Sequence, residues 1–220
     1  MLAHATLRGG PAERAALEGL CRRYWPPVRE CIRSRGVQPD RVEDLTQDFF
    51  VHLMEAGLFR RAEQEQGRFR SFLMGSLRFF LANDAARNAT QRRGGGVEHC
   101  ELEDDSAVIQ AEEAIFDREW AQTLLAEALA SVEKESRARR GDAVWEVLRR
   151  YLPGSHVPES YDALTAVMGI TATGAKAEVS RLRARYREAL RREVGRTVST
   201  PEDVDAELSH LRAVLSASMA

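Results

Sequence analysis

Apolar residues recur along this chain at helical spacing almost everywhere, and no run of alternating β-branched residues lies between hairpin turns. Leu17, Leu20, Cys21 and Tyr24 predict a first helix, stopped by Pro26-Pro27, and Val28, Cys31 and Ile32 a short second one that Gly36 ends. Asp40-Arg41-Val42-Glu43 reads as a capping box opening a helix with the stripe Val42, Leu45, Phe49, Leu53 and Ala56. After the polar stretch "FRRAEQEQG", Phe69, Phe72, Leu73, Leu77, Phe80 and Leu81 mark the buried side of another helix, and Phe79 lies off that stripe. "RRGGG" closes this unit, and the acidic "EHCELEDDSA" reads as a linker.

A second helical unit begins near Ala111, with Ile115, Phe116, Trp120, Leu124 and Leu125 as its inner side. Gly141 breaks it, and Val144, Trp145, Leu148 and Tyr151 predict a further helix. Ser160 is placed to cap "YDALTAVMG". Two helices then meet at Gly169-Ile170-Thr171: Ala163, Leu164 and Val167 precede the break, and Ala175, Val179, Leu182 and Tyr186 follow it. A short turn with Gly at the break and Thr171 as N-cap predicts a helix-turn-helix. Its second helix presents Lys176, Ser180, Arg183 and Arg187 outward, at steps of four, three and four. Gly174, in its first turn, is a poor helix former. Beyond Thr200-Pro201, Val204, Leu208, Leu211 and Leu215 form one stripe of a tail helix, expected to dock on the second domain. The expected organisation is therefore all-α: two helical domains, 11–95 and 113–197, joined by an acidic linker, 96–112, with a C-terminal amphipathic helix, 198–220.

The length of 220 residues suits two small domains, and 44% hydrophobic content supports real cores. The net charge of −2 conceals a pattern. Residues 68–93 hold six arginines against Asp84, and 173–196 hold eight basic residues against three glutamates. Between them, 98–119 hold nine acids and one arginine. Basic and hydroxyl side chains on an exposed helix face suit phosphate and major-groove contacts, and two tethered basic modules can track one duplex.

Catalytic signatures are missing: the sequence has no phosphate-binding loop, His-Glu-x-x-His, nucleophile elbow or Cys-x-x-Cys. The reading is therefore not an enzyme, without cofactor or metal. Cys21, Cys31 and Cys100 form neither a disulfide framework nor a metal set, and His99-Cys100 has no companion pair. No apolar run approaches a membrane span and no signal peptide is evident, so a reducing cytoplasm is expected. Asp44, Gln47, Asp48, Val51 and Glu55 share the side of their helix opposite the apolar stripe. That side reads as a solvated face or, because of Val51, as a docking patch. Nothing nearby completes a metal site around its carboxylates.

In order along the chain, these segments resemble the extracytoplasmic-function sigma factors of bacterial RNA polymerase. "DRVEDLTQDFFVHLME" resembles the helix that docks on the polymerase, and "GRFRSFLMGSLRFFLANDAARNATQRRGGG" the helix that melts and reads the minus-ten element. "SYDALTAVMGITATGAKAEVSRLRARYREALRREV" resembles the helix-turn-helix for the minus-thirty-five element, and "TVSTPEDVDAELSHL" the tail of one branch of the family. The resemblance implies that Asp44, Gln47, Asp48 and Val51 face the clamp helices of the polymerase's largest subunit. By it, helices from 113 to 152 hold the flap tip, and the loop from Leu58 to Gly67 captures a flipped base. Arg78, Phe79, Asn83, Arg87, Arg92 and Arg93 would line the displaced strand. Thr171, Lys176, Ser180, Arg183 and Arg187 would read duplex promoter DNA. Many relatives carry Asn in place of Phe79 and a basic residue in place of Gly75. Regulation would fall to expression level, a separate anti-sigma partner, the C-terminal helix, or a kinase acting on Thr46. The other reading of the same residues is a stand-alone helix-turn-helix regulator that binds duplex DNA without polymerase.

Overall fold

The computed structural model describes residues 11–56, 69–93, 106–154, 160–198 and 200–217, without the side chains of 11–16, 88–93 and 201. These residues form α1 (Pro11–Ser34), α2 (Pro39–Glu55), α3 (Phe69–Arg93), α4 (Ser106–Arg140), α5 (Asp142–Leu148), a 3₁₀ turn (Arg149–Tyr151), α6 (Asp162–Met168), α7 (Ala172–Gly195) and α8 (Pro201–Ala217). The chain is all-α, with no strand among the described residues.

It divides into two compact units, one of Met1–Thr123 with Thr197–Ala220 and one of Leu124–Arg196. Both boundaries differ from those read off the charge pattern. Part of the acidic stretch is already helix, because α4 starts at Ser106. Phe116 and Trp120, expected in the second domain, are fully buried within the first unit. Phe116 stacks near Tyr24 of α1 at a centroid distance of 6.2 Å, and the Cys31 thiol of α1 contacts the Glu112 carbonyl at 3.5 Å.

In this first unit α1 runs unbroken through Pro26 and Pro27, where the sequence predicts a stop. Two missing N–H donors and their ring clashes normally break a helix. Here Tyr24, Val28 and Ile32, on both sides of the prolines, are fully buried, so tertiary packing holds the helix together. The end at Gly36 is as read, with φ at +74°. α2 opens at Pro39 rather than at a capping box: Gln38 is the N-cap, no side chain caps the helix, and Asp40 lies in the first turn. Val42, Leu45, Phe49 and Leu53 are buried, as the stripe requires, whereas Ala56 is exposed. Phe49 meets Phe80 of α3 at 5.4 Å, which ties the two stripes together.

The tail helix belongs to this unit and not, as expected, to the second domain. Val204 and Leu211 of α8 are buried, Glu207 lies 3.6 Å from Arg70 of α3, and the His210 ring lies 2.7 Å from Asp117 of α4. Arg70 also meets Asp117 at 2.6 Å and lies over the Trp120 ring at 5.4 Å.

The second unit closes around Trp145, Leu148, Tyr151, Leu164, Val179 and Leu182, contributed by α5, the 3₁₀ turn, α6 and α7. Gly141, at φ +80°, makes the corner between α4 and α5. Arg137 pairs with Glu133, Asp142 and Glu146 across that corner. Single surface pairs contribute little, but one guanidinium shared among three carboxylates fixes the direction of the chain.

Candidate nucleic-acid interface

The second unit builds the predicted helix-turn-helix from local chemistry. α6 ends at Gly169 in the left-handed conformation (φ 63°, ψ 35°), where a residue without Cβ is favoured. The Ile170 N–H returns to the Thr165 carbonyl at 3.3 Å, and the Ile170 side chain packs against the core. Thr171 is extended, and its hydroxyl accepts the Gly174 N–H at 3.2 Å, which makes it the N-cap of α7. Ala175, Val179, Leu182, Tyr186 and Ala189 turn inward. Thr171, Lys176, Ser180, Arg183 and Arg187 are exposed, so the five residues share one accessible side.

Their availability differs. Lys176 and Arg187 have no ion pair among the described residues. Arg183 donates from Nε to the Tyr151 carbonyl at 2.9 Å, which holds its guanidinium against the 3₁₀ turn. Tyr151 itself stacks on Tyr161 at 5.4 Å and donates its hydroxyl to the Ser160 carbonyl. Desolvation, with the neighbouring Tyr161 phenol, pushes its pKa above the ordinary value and keeps it a donor. Ser160 contributes less as a cap than the sequence suggests: Tyr161 is the N-cap of α6, and the Asp162 N–H reaches the Ser160 hydroxyl only at 3.4 Å. Arg181 pairs with Glu178, as does Arg140 of α4, and Arg185 lies 3.7 Å from Glu135, so Arg181 and Arg185 of the basic run on α7 are not free charge.

In the first unit, Asp44, Gln47 and Asp48 are exposed on α2 and Val51 is half-buried, which forms the acidic patch with an apolar edge read from the sequence. Thr46, considered there as a kinase target, is fully buried and donates its hydroxyl to the Val42 carbonyl at 2.7 Å. A kinase cannot reach it while the unit is folded.

α3 separates its candidates. Arg78 is not on the open face: it donates to the Ile109 carbonyl at 3.2 Å and to Glu113 at 3.1 Å, and lies 3.6 Å from Glu112. It anchors α4 to α3. Phe79 is 63% exposed, Asn83 half-buried and Arg87 exposed. Arg92 and Arg93 close the helix with side chains outside the described residues, as do the loop from Leu58 to Gly67 and the His99-Cys100 pair.

No protein-family model, curated protein or solved structure matches the chain.

The residue that sequence reading missed is Arg70. It belongs to the same basic run as Arg78 and Arg87, and nothing in the local pattern separates a buried arginine from a solvated one. The partners that decide it, Asp117 and Glu207, stand 47 and 137 positions later (117 − 70 and 207 − 70). Among the described residues no helix is long and apolar enough to cross a membrane.

Proposed function

We propose that this chain is a sigma factor of the extracytoplasmic-function type, a non-enzymatic initiation factor working in the cytoplasm. The observation that carries the reading is the α6–Gly169–Thr171–α7 turn, with Lys176, Ser180 and Arg187 on its open side. The exposed acidic side of α2 supports it as a docking surface of opposite charge to basic helices. In this reading the first unit holds the sigma region that binds the clamp helices, and the second holds the region that reads the minus-thirty-five element. The chain passes between them within α4 and again after Arg196, and α5 with the second half of α4 is offered to the flap tip.

Mechanistically, the acidic face of α2 binds core RNA polymerase and α7 enters the major groove of the duplex upstream. The outward side of α3 then meets the strands where they part. Each contact is weak alone, and tethering raises the effective concentration of the next. The test is co-elution of the purified chain with bacterial core RNA polymerase, repeated with Asp48→Arg. Co-elution of the wild type that the substitution abolishes is the expected result. If neither protein co-elutes while duplex DNA is bound tightly, the chain is a stand-alone regulator.

A further inference from the structure

The face that α8 turns to the first unit carries a charge at its centre. Val204, Glu207 and Leu211 are its buried residues, while the other acids of the helix, Glu202, Asp203 and Asp205, are exposed or half-buried. A buried carboxylate persists only where partners receive it. Donors from three helices gather beneath Glu207. Arg70 Nε of α3 lies 3.6 Å from the carboxylate, too far for a hydrogen bond. Tyr24 of α1 feels the charges of both Glu207 and Arg70, and its hydroxyl adjoins the Trp120 indole N–H of α4. None of these three buried groups, Arg70 Nε, Tyr24 Oη and Trp120 Nε1, completes a hydrogen bond of good geometry. Burial pushes the Tyr24 phenol above its ordinary pKa, so it remains an O–H donor.

This seat is selective and loose at once. Desolvated donors favour a negatively charged acceptor over a neutral one. Their incomplete hydrogen bonds leave a desolvation cost in the docked state, which water relieves when the helix lifts off. The contact also thins toward the end of α8. Past Leu211 a cleft of about 360 Å³ remains against α4, lined by Glu113, Ala114, Asp117 and Arg118 with Val214 and Ala217 of α8. When the helix leaves, Arg70 keeps Asp117 at 2.6 Å and the Trp120 ring at 5.4 Å, so that pair stays intact. Glu207 and His210 pass into water.

We propose that Tyr24, Arg70 and Trp120 form a carboxylate-receiving socket, and that α8 is its detachable ligand, seated through Glu207. The surface fits an amphipathic helix that places an acid between two apolar residues, three positions before it and four after it, as Val204, Glu207 and Leu211 do. Because Arg70 belongs to α3 and Trp120 to α4, occupancy of the socket fastens those two helices together beside the Arg78 anchor. The socket uses no side chain assigned to DNA, and it stands apart from the sigma-factor reading.

Hydrogen exchange of the full chain, without polymerase or DNA, reads the detachment. In the wild type α8 should exchange at least about tenfold faster than α1 and α3, because it lifts off while the unit stays folded. Glu207→Gln keeps the shape and removes the charge. It should speed α8 by a further ten- to 150-fold, roughly the span of a charge-assisted hydrogen bond, and leave α1 and α3 unchanged. A fluorescein-labelled peptide of residues 197–217 then tests the socket from outside. It should bind the Glu207→Gln chain more tightly than the wild-type chain, whose tethered tail competes at high effective concentration. The same peptide carrying Glu207→Gln should bind the Glu207→Gln chain more weakly than the unaltered peptide does. The proposal is overturned if wild-type α8 exchanges together with α1 and α3, or if Glu207→Gln leaves α8 unchanged or loosens the whole unit equally. It is also overturned if the peptide does not prefer the Glu207→Gln chain, or if its own Glu207→Gln form binds that chain as well.

Discussion

Arg70→Met probes the charge cluster that joins α3, α4 and α8 in the first unit. The Arg70 side chain is 12% exposed and that of Glu207 only 2%, so neither charge has much water to fall back on. At an effective dielectric near 20, two unit charges about 4 Å apart interact by about 4 kcal/mol, most of which desolvation offsets in the intact pair. Removing one partner exposes the other's desolvation, and such breaks cost about 3–5 kcal/mol. Asp117 retains His210 at 2.7 Å, and methionine preserves much of the arginine stem's packing against Trp120, so the lower end, about 3 kcal/mol, is expected. Arg70→Met combined with Glu207→Met should recover part of the loss, because the carboxylate that faced Arg70 is then gone as well. Tryptophan fluorescence is a mixed readout: Trp25 and Trp120 report on the first unit and Trp145 on the second. Hydrogen exchange separates them. Protection of α3, the first half of α4 and α8 should fall roughly a hundredfold, with α6 and α7 unchanged. A loss below about 1 kcal/mol, or one spread evenly over both units, would refute the argument that these carboxylates depend on Arg70.

Three further substitutions or conditions follow from the same geometry. Arg78→Ala should lower first-unit stability by about 1.5–3 kcal/mol, as loss of charge-assisted hydrogen bonds does, and leave single-strand affinity alone. Arg87→Ala should preserve stability and reduce the salt slope of single-strand binding by about 0.7; the opposite pattern would exchange the roles given to the two arginines. In the second unit, Gly174→Ala places a methyl 3.5 Å from the Ile170 Cβ, an ordinary contact, and should raise stability by about 0.4–1 kcal/mol in thermal unfolding. Thr171→Ala should lower it by about 1 kcal/mol through loss of the cap. Burial pushes the Cys21 thiol up to about 11 and the Cys31 thiol to about 12, from an ordinary value of 9. The folded state holds these protons more tightly than the unfolded one, so their contribution to stability is complete below about pH 9 and is lost as pH rises toward 12. In a Cys100→Ser background at pH 8, a thiol reagent should react slowly until urea unfolds the chain. Labelling at the rate of a free thiol would show that burial does not protect them.

Local rules were sufficient wherever an element is defined by its own neighbours. The stripes Val42-Leu45-Phe49-Leu53 and Ala175-Val179-Leu182-Tyr186 are buried as a 3.6-residue period demands, and Gly169 and Thr171 make the turn that their chemistry favours. The readings that failed depended on distant residues. Pro26 and Pro27 are helix breakers by propensity, but packing on either side of them outweighs that preference. The stripe of α8 indicates that it needs a partner without indicating which one. The choice rests on Arg70, Asp117 and Trp120, none of which looks unusual in its own segment. α4 lacks a strong periodic signature because its inner side serves different neighbours in its two halves, with Phe116 and Trp120 in one unit and Ala128 and Val132 in the other.

The same effect governs how much of the charge pattern bears on function. Read as blocks, the basic segments look like two strongly cationic modules separated by an acidic linker. In the folded chain the last part of that acidic block supplies the counter-charges: Glu112 pairs with Arg35, Glu112 and Glu113 with Arg78, and Asp117 with Arg70. On α7, Glu178 holds Arg181 and Arg140. Among the described side chains assigned to nucleic acid, this leaves Lys176, Arg183 and Arg187 for the duplex and Arg87 for the parted strand as exposed cations without an ion pair. Three phosphate contacts on a duplex would give a salt slope of roughly −2.7, far from the steep dependence of proteins that make six to ten such contacts. A regulator acting alone would have to draw tight binding from this small set. A factor held at the promoter by a large partner would not, because the partner supplies the local concentration. The neutralised arginines thus favour the polymerase-dependent reading, and they shift the discriminating work on α3 from charge to the exposed ring of Phe79.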